Sequence, residues 1–190
     1  DIDKIEITGG GEPFLHPKIE TVISTCIQKA PTQIYTNGSM LHKFVDRDIL
    51  QKLLYLCISR FHHDPKRNLE LMGVEQKISM SNLAETGIQI KLSLVLQRSG
   101  IYSAGEVREY LDWASNQGVN KVVVRQIFDF DPATTNASYR NLIEKEYVSS
   151  EQMFKDLIIT HFVLSEQGNP IFKYKNLEVE VEYRSCACEM

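Results

Sequence analysis

A glycine-rich segment with one carboxylate is the first part of the sequence whose residue types suit chemistry. Gly9-Gly10-Gly11 is followed directly by Glu12 and Pro13. Glycines let the backbone approach a ligand closely and adopt a positive φ, while Pro13 fixes the direction in which the chain leaves. The Glu12 carboxylate would suit an ammonium group, whose three donors need converging acceptors. Three glycines by themselves favour the simpler alternative of a turn with a solvated glutamate.

Two further polar segments could take part in binding. Thr36-Asn37-Gly38 ends in the commonest turn dipeptide, so alone it indicates only a tight turn. Residues 59–65 bring together a hydroxyl, a guanidinium and two imidazoles. Because His62 and His63 are neighbours, an extended chain would point them to opposite sides. This argues against a shared metal ion and favours a structural role for one of them.

An amide and two arginines complete the set of candidate residues. Gln97 and Arg98 precede Ser99-Gly100, and Arg125 interrupts a run of valines. An arginine on a buried strand is rarely left unpaired. We therefore expect Arg125 either to meet an internal carboxylate or to hold the acid group of a ligand.

These residues lie at or near the ends of segments that the hydrophobic pattern predicts to be strands. Short β-branched runs alternate with longer helical stretches, which is typical of βα units around a parallel sheet. The predicted strands are 4–8, 33–36, 55–59, 88–96 and 121–128. The predicted helices are 17–29, 42–53, 65–85 with an interruption near Gly73, 103–117 and 149–165, followed by a hairpin of 170–174 and 177–183. The polar stretch 129–148 is predicted to be an irregular loop.

The succession of five βα units predicts the α/β class. We expect an incomplete parallel (β/α) barrel with a C-terminal helix and β-hairpin, although periodicity alone does not separate a piece of a barrel from an open doubly wound sheet. Residues 1–148 would form the partial barrel, and residues 149–190 would form the helix and hairpin packed on the same domain. In both architectures ligands bind at the C-terminal ends of the strands, where the polar segments fall.

Taken in order, these segments resemble the radical S-adenosylmethionine (radical SAM) superfamily over residues 4–128. Gly10-Gly11-Glu12-Pro13 is similar to the family's second-strand motif, which there receives the amino group of S-adenosylmethionine (SAM). Thr36-Asn37-Gly38 is similar to the segment that follows the family's third strand. Ser59, Asp64-Pro65 and Leu71-Met72-Gly73 resemble the fourth-strand segment of the branch that contains molybdenum-cofactor and peptide-maturation enzymes.

The resemblance implies a set of cofactor-binding residues. It would place Ser59 near the methionine or ribose part of SAM, Gln97 near the ribose, and residues 124–127 beside the adenine. It offers Arg60, Arg98 and Arg125 for the carboxylate of the methionine moiety or of the substrate, and the sequence does not assign them. The implied cofactor-binding residues are Gly10, Gly11, Glu12, Pro13, Thr36, Asn37, Ser59, Arg60, Gln97 and Arg125.

The resemblance also implies an activity for the intact parent protein. That protein would bind a 4Fe-4S cluster and SAM, cleave SAM reductively, and abstract hydrogen from a small-molecule or peptide substrate that the sequence does not identify. The family's three cluster cysteines have no counterpart here, and Cys186-Ala187-Cys188 does not replace them, because a cluster needs several converging thiolates. We therefore expect no cluster in this chain and no SAM cleavage by this chain alone.

Two alternatives remain at the level of sequence. The first is a non-catalytic binding or scaffold domain on the same fold, since a fold does not guarantee chemistry. The second, a phosphate-binding domain, is less well supported because residues 9–13 lack the Lys and Ser/Thr of a phosphate loop. The sequence also departs from the family at a position associated with ribose recognition, because Phe61 stands where relatives often carry an aspartate.

Composition narrows the partners and the compartment. The 190 residues carry a formal net charge of -4 with scattered Lys and Arg, so we expect no nucleic-acid partner. No apolar stretch has the length of a membrane span and the first residues are not a targeting peptide, which favours a soluble cytoplasmic protein with reduced cysteines. The start inside a strand-like run suggests a fragment, and its first strand would offer an unpaired edge for self-association.

Overall fold

Eight strands form one sheet in the computed structural model, which describes residues 2–127 and 137–182. In chain order the strands are β1 Ile5–Ile7, β2 Thr32–Thr36, β3 Tyr55–Ser59, β4 Ile90–Leu96, β5 Lys121–Gln126, β6 Val163–Leu164, β7 Pro170–Tyr174 and β8 Leu177–Val181. Their order across the sheet is β1-β2-β3-β4-β5-β8-β7-β6, with β1 to β5 and β8 parallel and β7 and β6 antiparallel. The sheet is open, with β1 at one edge and β6 at the other. The predicted incomplete parallel barrel is therefore confirmed.

Helices connect the strands in the order that the sequence predicts for most of the chain. Their bounds are α1 Ile19–Ile27, α2 Pro65–Met72, α3 Met80–Glu85, α4 Ala104–Asn116, α5 Ala137–Glu146 and α6 Ser150–Leu157. The Asp64 carboxylate caps α2, and Gly73 ends that helix with a φ of 69°. The Ser103 and Glu106 capping box starts α4, as predicted. Local signals of this kind fix helix ends without help from the rest of the fold.

Three predicted segments differ from the structure. Residues 42–53 do not form one helix but two short 3-10 turns, Leu41–Lys43 and Asp48–Lys52, which bury Leu41 and Leu50 separately. Part of the predicted loop 129–148 is instead helix α5, whose surface is almost entirely exposed and therefore has no apolar periodicity to detect. Residues 128–136 lie outside the described residues. The predicted helix 149–165 ends at Leu157, because Ile158 adopts a φ of 55°.

The C-terminal hairpin forms as predicted but makes an additional connection. Strands β7 and β8 turn at Lys175 and Asn176, and β8 then pairs in parallel with β5. Residues Lys121 to Val124 of β5 are in register with Glu178 to Val181 of β8. This ladder makes β8 a sixth parallel strand of the sheet. The strand was predicted as part of the hairpin, but its pairing with β5 was not.

The two faces of the sheet differ in chemistry because strand side chains alternate. One face is apolar and packs on the helices, with fully buried residues such as Ile34, Leu56, Ile58, Leu92 and Val122. The opposite face is polar. We define this polar face by its contacting side chains Glu6, Gln33, Tyr35, Cys57, Lys91, Lys121, Arg125, Glu178, Glu180 and Glu182. None of the described helices is long and apolar enough to cross a membrane.

Gly118 should be far less tolerant of alanine than Gly105, although both lie in or next to α4. Gly118 has a φ of 75°, and a Cβ there would lie 2.9 Å from the Ala84 Cβ, whereas Gly105 has space around it. We expect Gly118→Ala to lower the free energy of unfolding by about 1–2 kcal/mol or more. Gly105→Ala should raise it by about 0.5 kcal/mol. Urea denaturation measures both, and equal effects would contradict the assigned backbone conformation.

Candidate functional site

The Glu12 carboxylate joins the segment after β1 to the turn after β2. Its Oε1 accepts hydrogen bonds from Thr36 Oγ1 at 2.7 Å and from Phe14 N at 3.1 Å. Its Oε2 accepts one from Asn37 N at 2.8 Å. A carboxylate oxygen can accept two such bonds, so Oε2 retains capacity for another donor. Glu12, Thr36 and Asn37 are therefore brought together, and Glu12 is half-buried rather than a solvated turn residue.

The three glycines before Glu12 do not use the left-handed backbone conformation that glycine permits. None of Gly9, Gly10 and Gly11 has a positive φ. A Cβ placed on any of them would meet nothing within 4 Å. The chain at the end of β1 therefore borders open space, into which a ligand could approach the backbone closely.

Gln76 is a site residue that the sequence did not reveal. Its Nε2 donates to Asn37 O at 2.8 Å and to Ser59 O at 2.7 Å, which ties the end of β2 to the end of β3. Gly38, with a φ of 79°, packs against it, and a Cβ there would lie 3.0 Å from Gln76 Nε2. Gln76 lies in the irregular segment between α2 and α3, which has neither periodicity nor a motif.

Arg60 lies on the helix side of the sheet rather than on the polar face. Its Nη1 donates to Gln76 Oε1 at 2.7 Å, its Nη2 donates to His63 O at 2.9 Å, and its guanidinium lies 4.8 Å from the Trp113 ring centroid. The side chain is almost fully buried, and this burial lowers the pKa of Arg60. Its placement favours a packing role, with Gln76 coupling it to the strand ends.

The two histidines are not on opposite sides of the chain. The His62 and His63 ring centroids are 4.5 Å apart, because residues 61–64 bend instead of extending. His62 Nδ1 accepts a hydrogen bond from Asp64 N at 3.0 Å, and burial followed by the neighbouring His63 lowers the pKa of His62. Both rings therefore lie in contact with each other next to the start of α2. No group of three or more potential metal ligands occurs among the described residues.

Ser59 and Gln97 lie at the C-terminal ends of β3 and β4, the same edge of the sheet as Glu12. The Gln97 side-chain Nε2 is buried and has no hydrogen-bond partner within residues 2–127 and 137–182. The loop that follows it is fastened to α5, since Ser99 N donates to Glu146 Oε2 at 2.7 Å. The Gln97 amide is therefore a donor held in place at this edge without an acceptor of its own.

Arg125 lies on the polar face and meets an internal carboxylate, one of the two alternatives that its sequence position left open. Its Nη2 donates to Glu182 Oε1 at 2.9 Å. Burial raises the pKa of Glu182, and Arg125 offsets only part of that effect. A second ion pair on this face joins Lys121 Nζ to Glu178 at 3.0 Å and to Glu180 at 2.9 Å.

Solved structures share this arrangement of strands and helices. The chain aligns with Streptococcus suis SuiB bound to S-adenosylmethionine at 22% identity and a TM-score of 0.61, covering 94% of this chain and 39% of that one. SuiB bound to the precursor peptide SuiA aligns at 22% identity and a TM-score of 0.62, covering 80% of this chain and 34% of that one. A domain of pyruvate-formate lyase-activating enzyme from Bacteroides vulgatus aligns at 14% identity and a TM-score of 0.55, covering 82% and 93% of the two chains.

This chain therefore shares the fold of SuiB and of the activating-enzyme domain. The chain spans less than two-fifths of the length of SuiB. No protein-family model matches the sequence, and no curated protein does. The structural matches therefore establish the shared fold.

The described cysteines do not fit a radical SAM cluster. Cys26 lies on α1, and Cys57 lies on the polar face of β3, where its thiol is buried. Burial raises the pKa of Cys57 to about 11, so the thiol stays protonated near neutral pH. An iron-sulfur cluster needs several converging thiolates. Cys186 and Cys188 lie outside the described residues.

Gln76 should contribute more to stability than an exposed glutamine does. Gln76→Ala would leave two carbonyls and the Arg60 guanidinium short of partners, so we expect the free energy of unfolding to fall by about 2–3 kcal/mol. Amide exchange at Asn37 and Gly38 should also accelerate. Gln152, an exposed residue of α6 whose side-chain Nε2 donates to Asp156 Oδ1 at 2.8 Å, is the control. Gln152→Ala should cost less than about 0.5 kcal/mol. Equal losses in urea denaturation would mean that Gln76 does not hold the turn.

Proposed function

We propose that this chain is the SAM-binding core of a radical SAM enzyme. The observation that carries the proposal is the Glu12 carboxylate, which is fixed by Thr36 and Asn37 beside open glycine backbone and keeps acceptor capacity on Oε2. A carboxylate held in this way suits the ammonium group of a methionine moiety, which carries one positive charge and three donors. The structural match to SuiB, which was solved with S-adenosylmethionine, supports this assignment.

The remaining cofactor groups would lie along the C-terminal ends of the next strands. Ser59 presents a hydroxyl after β3, and Gln97 presents an unpaired amide after β4, so both would hydrogen-bond to the ribose hydroxyls. Binding of this kind would satisfy the buried Gln97 Nε2, which otherwise costs free energy. Gly10, Gly11 and Pro13 would shape the backbone around the methionine end.

The proposal assigns binding, and not electron transfer, to the described residues. A bound iron-sulfur cluster would supply the one electron needed to break the bond between the sulfonium and the 5' carbon of SAM, which would release methionine and leave the 5'-deoxyadenosyl group to abstract hydrogen from a substrate. Cys26 and Cys57 do not provide the cluster site, so we propose that cysteines of the intact parent protein outside this chain hold it. The protein's part here is to position SAM and to exclude water.

A peptide or small molecule acted on in the cytoplasm is the substrate class that we propose. The SuiB structure with its precursor peptide supports a peptide. The polar face supports a substrate with charged groups, because it presents ion pairs and not an apolar surface. A protonated, buried Cys57 thiol is compatible with the reducing cytoplasm.

Loss of the Glu12 charge should weaken SAM binding in the complete, anaerobically reconstituted protein. A hydrogen bond to a charged group contributes about 1.5–3 kcal/mol, so Glu12→Gln should raise the Kd for SAM roughly 10- to 150-fold. His62→Ala should change the Kd by less than about threefold. Isothermal titration calorimetry with SAM measures these affinities, and release of 5'-deoxyadenosine measures cleavage.

Two controls separate ligand binding from support of the turn. Glu20→Gln removes an exposed carboxylate from α1 and should leave the Kd unchanged. Thr36→Val removes a hydrogen bond to Glu12 but keeps its charge, so it should lose less affinity than Glu12→Gln. Unchanged affinity in Glu12→Gln would place the ammonium elsewhere. SAM binding without release of 5'-deoxyadenosine in the complete protein would favour a non-catalytic binding domain on this fold.

A further inference from the structure

One lysine of the polar face, Lys91, takes no part in the ion pairs of the described residues. Lys4 pairs with Glu6 at 2.6 Å, Lys121 pairs with two glutamates of β8, and Arg125 pairs with Glu182. Lys91 lies in the middle of the same face, in register with Cys57 of β3 and with Lys121 of β5. Within residues 2–127 and 137–182, no carboxylate oxygen comes within 4 Å of its Nζ.

The surroundings of Lys91 withdraw it partly from solvent and offer it an aromatic ring face in place of a carboxylate. The side chain is half-buried, and its Nζ lies 5.7 Å from the centroid of the Tyr35 ring. Burial lowers the pKa of Lys91; Cys57 and Glu180 act against this shift, while the positive charges of Lys121 and Arg125 add to it. Removing a cation from water without a counter-charge costs free energy. The protein nevertheless keeps a lysine at this position.

Tyr35 adds a second donor beside Lys91. Its hydroxyl accepts a hydrogen bond from Gln33 Nε2 at 2.9 Å, and in the described part of the chain no acceptor takes the hydroxyl proton. Arg125 Nε, close by on β5, is likewise buried without a partner there. The Lys91 ammonium, the Tyr35 hydroxyl proton and Arg125 Nε therefore have no hydrogen-bond acceptor among the described residues, and a carboxylate would supply one.

We propose that the Lys91 ammonium and the Tyr35 hydroxyl bind a carboxylate group of the substrate. The inference rests on the proposed function for the location of the cofactor. Lys91 precedes Ser93, the register partner of Ser59, by two residues, which is about 6.6 Å along the strand away from the edge where SAM would lie. A carboxylate at this depth belongs to the substrate and not to the methionine moiety.

Succinate serves as the probe, because it presents carboxylates without the rest of an unidentified substrate. We expect it to bind this chain in 0.15 M salt and to shift the Lys91 Cε resonance in a spectrum of carbon-13-labelled lysine. Lys91→Met should weaken succinate binding at least tenfold, and Lys91→Arg should stay within about threefold of the wild type, since both cations bind carboxylates. Lys29→Met, which removes an exposed lysine of the segment after α1, should bind as the wild type does.

Thermal unfolding and SAM affinity provide the second readout. Lys91→Met should unfold at the same or a higher temperature, because it removes a poorly solvated charge while keeping the side-chain packing. Its affinity for SAM in the complete protein should be unchanged. Failure of succinate to bind the wild type, or equal binding by Lys91→Met, would overturn the carboxylate site while leaving SAM binding standing. A loss of SAM affinity in Lys91→Met with normal succinate binding would also overturn it, because the carboxylate partner would then be the cofactor.

Discussion

The candidate site depends on hydrogen bonds that hold neighbouring strand ends together across an open sheet. Parallel strands share no hairpin turns, so the loops that leave β1, β2 and β3 have no covalent reason to stay adjacent. Glu12 links the ends of β1 and β2, and Gln76 links the ends of β2 and β3. Their carboxylate and amide groups would otherwise form hydrogen bonds with water. Because these bonds are local to one edge, the apolar core can be formed on the other side of the sheet without fixing the geometry of the site.

The two faces of the sheet divide the tasks of stability and chemistry. Residues such as Ile58 and Leu92 pack against the helices, while their alternating neighbours Cys57, Lys91 and Ser93 face the opposite direction. A closed barrel would enclose such a polar face and raise the free-energy cost of removing its charges from water. In this open sheet the ion pairs are only partly buried, so solvent can share in their stabilisation.

The sequence was most informative where the signal was local. The capping box at Ser103, the glycine that ends α2 and the β-branched strands could all be recognised, because each depends on a few adjacent residues. Gln76 could not be recognised, since its importance comes from three partners brought close by the fold. The direction of Arg60 was also beyond reach, because a one-residue difference at a strand end sends a side chain to the other face. Helix α5 was not predicted because an exposed helix has no buried apolar stripe that the hydrophobic pattern could show.

Strand β8 carries a consequence for how such a site could change. Glu178, Glu180 and Glu182 occupy alternate positions of this one strand and its end, and they neutralise Lys121 and Arg125 on β5. Three of the four carboxylates of the polar face therefore come from a single hairpin and the residue after it, with Glu6 of β1 the fourth, whereas Lys91, Lys121 and Arg125 belong to β4 and β5. Replacing that hairpin with one of different sequence would change most of the negative charge of the polar face at once. It would not alter the edge of the sheet at which Glu12 and Gln76 lie.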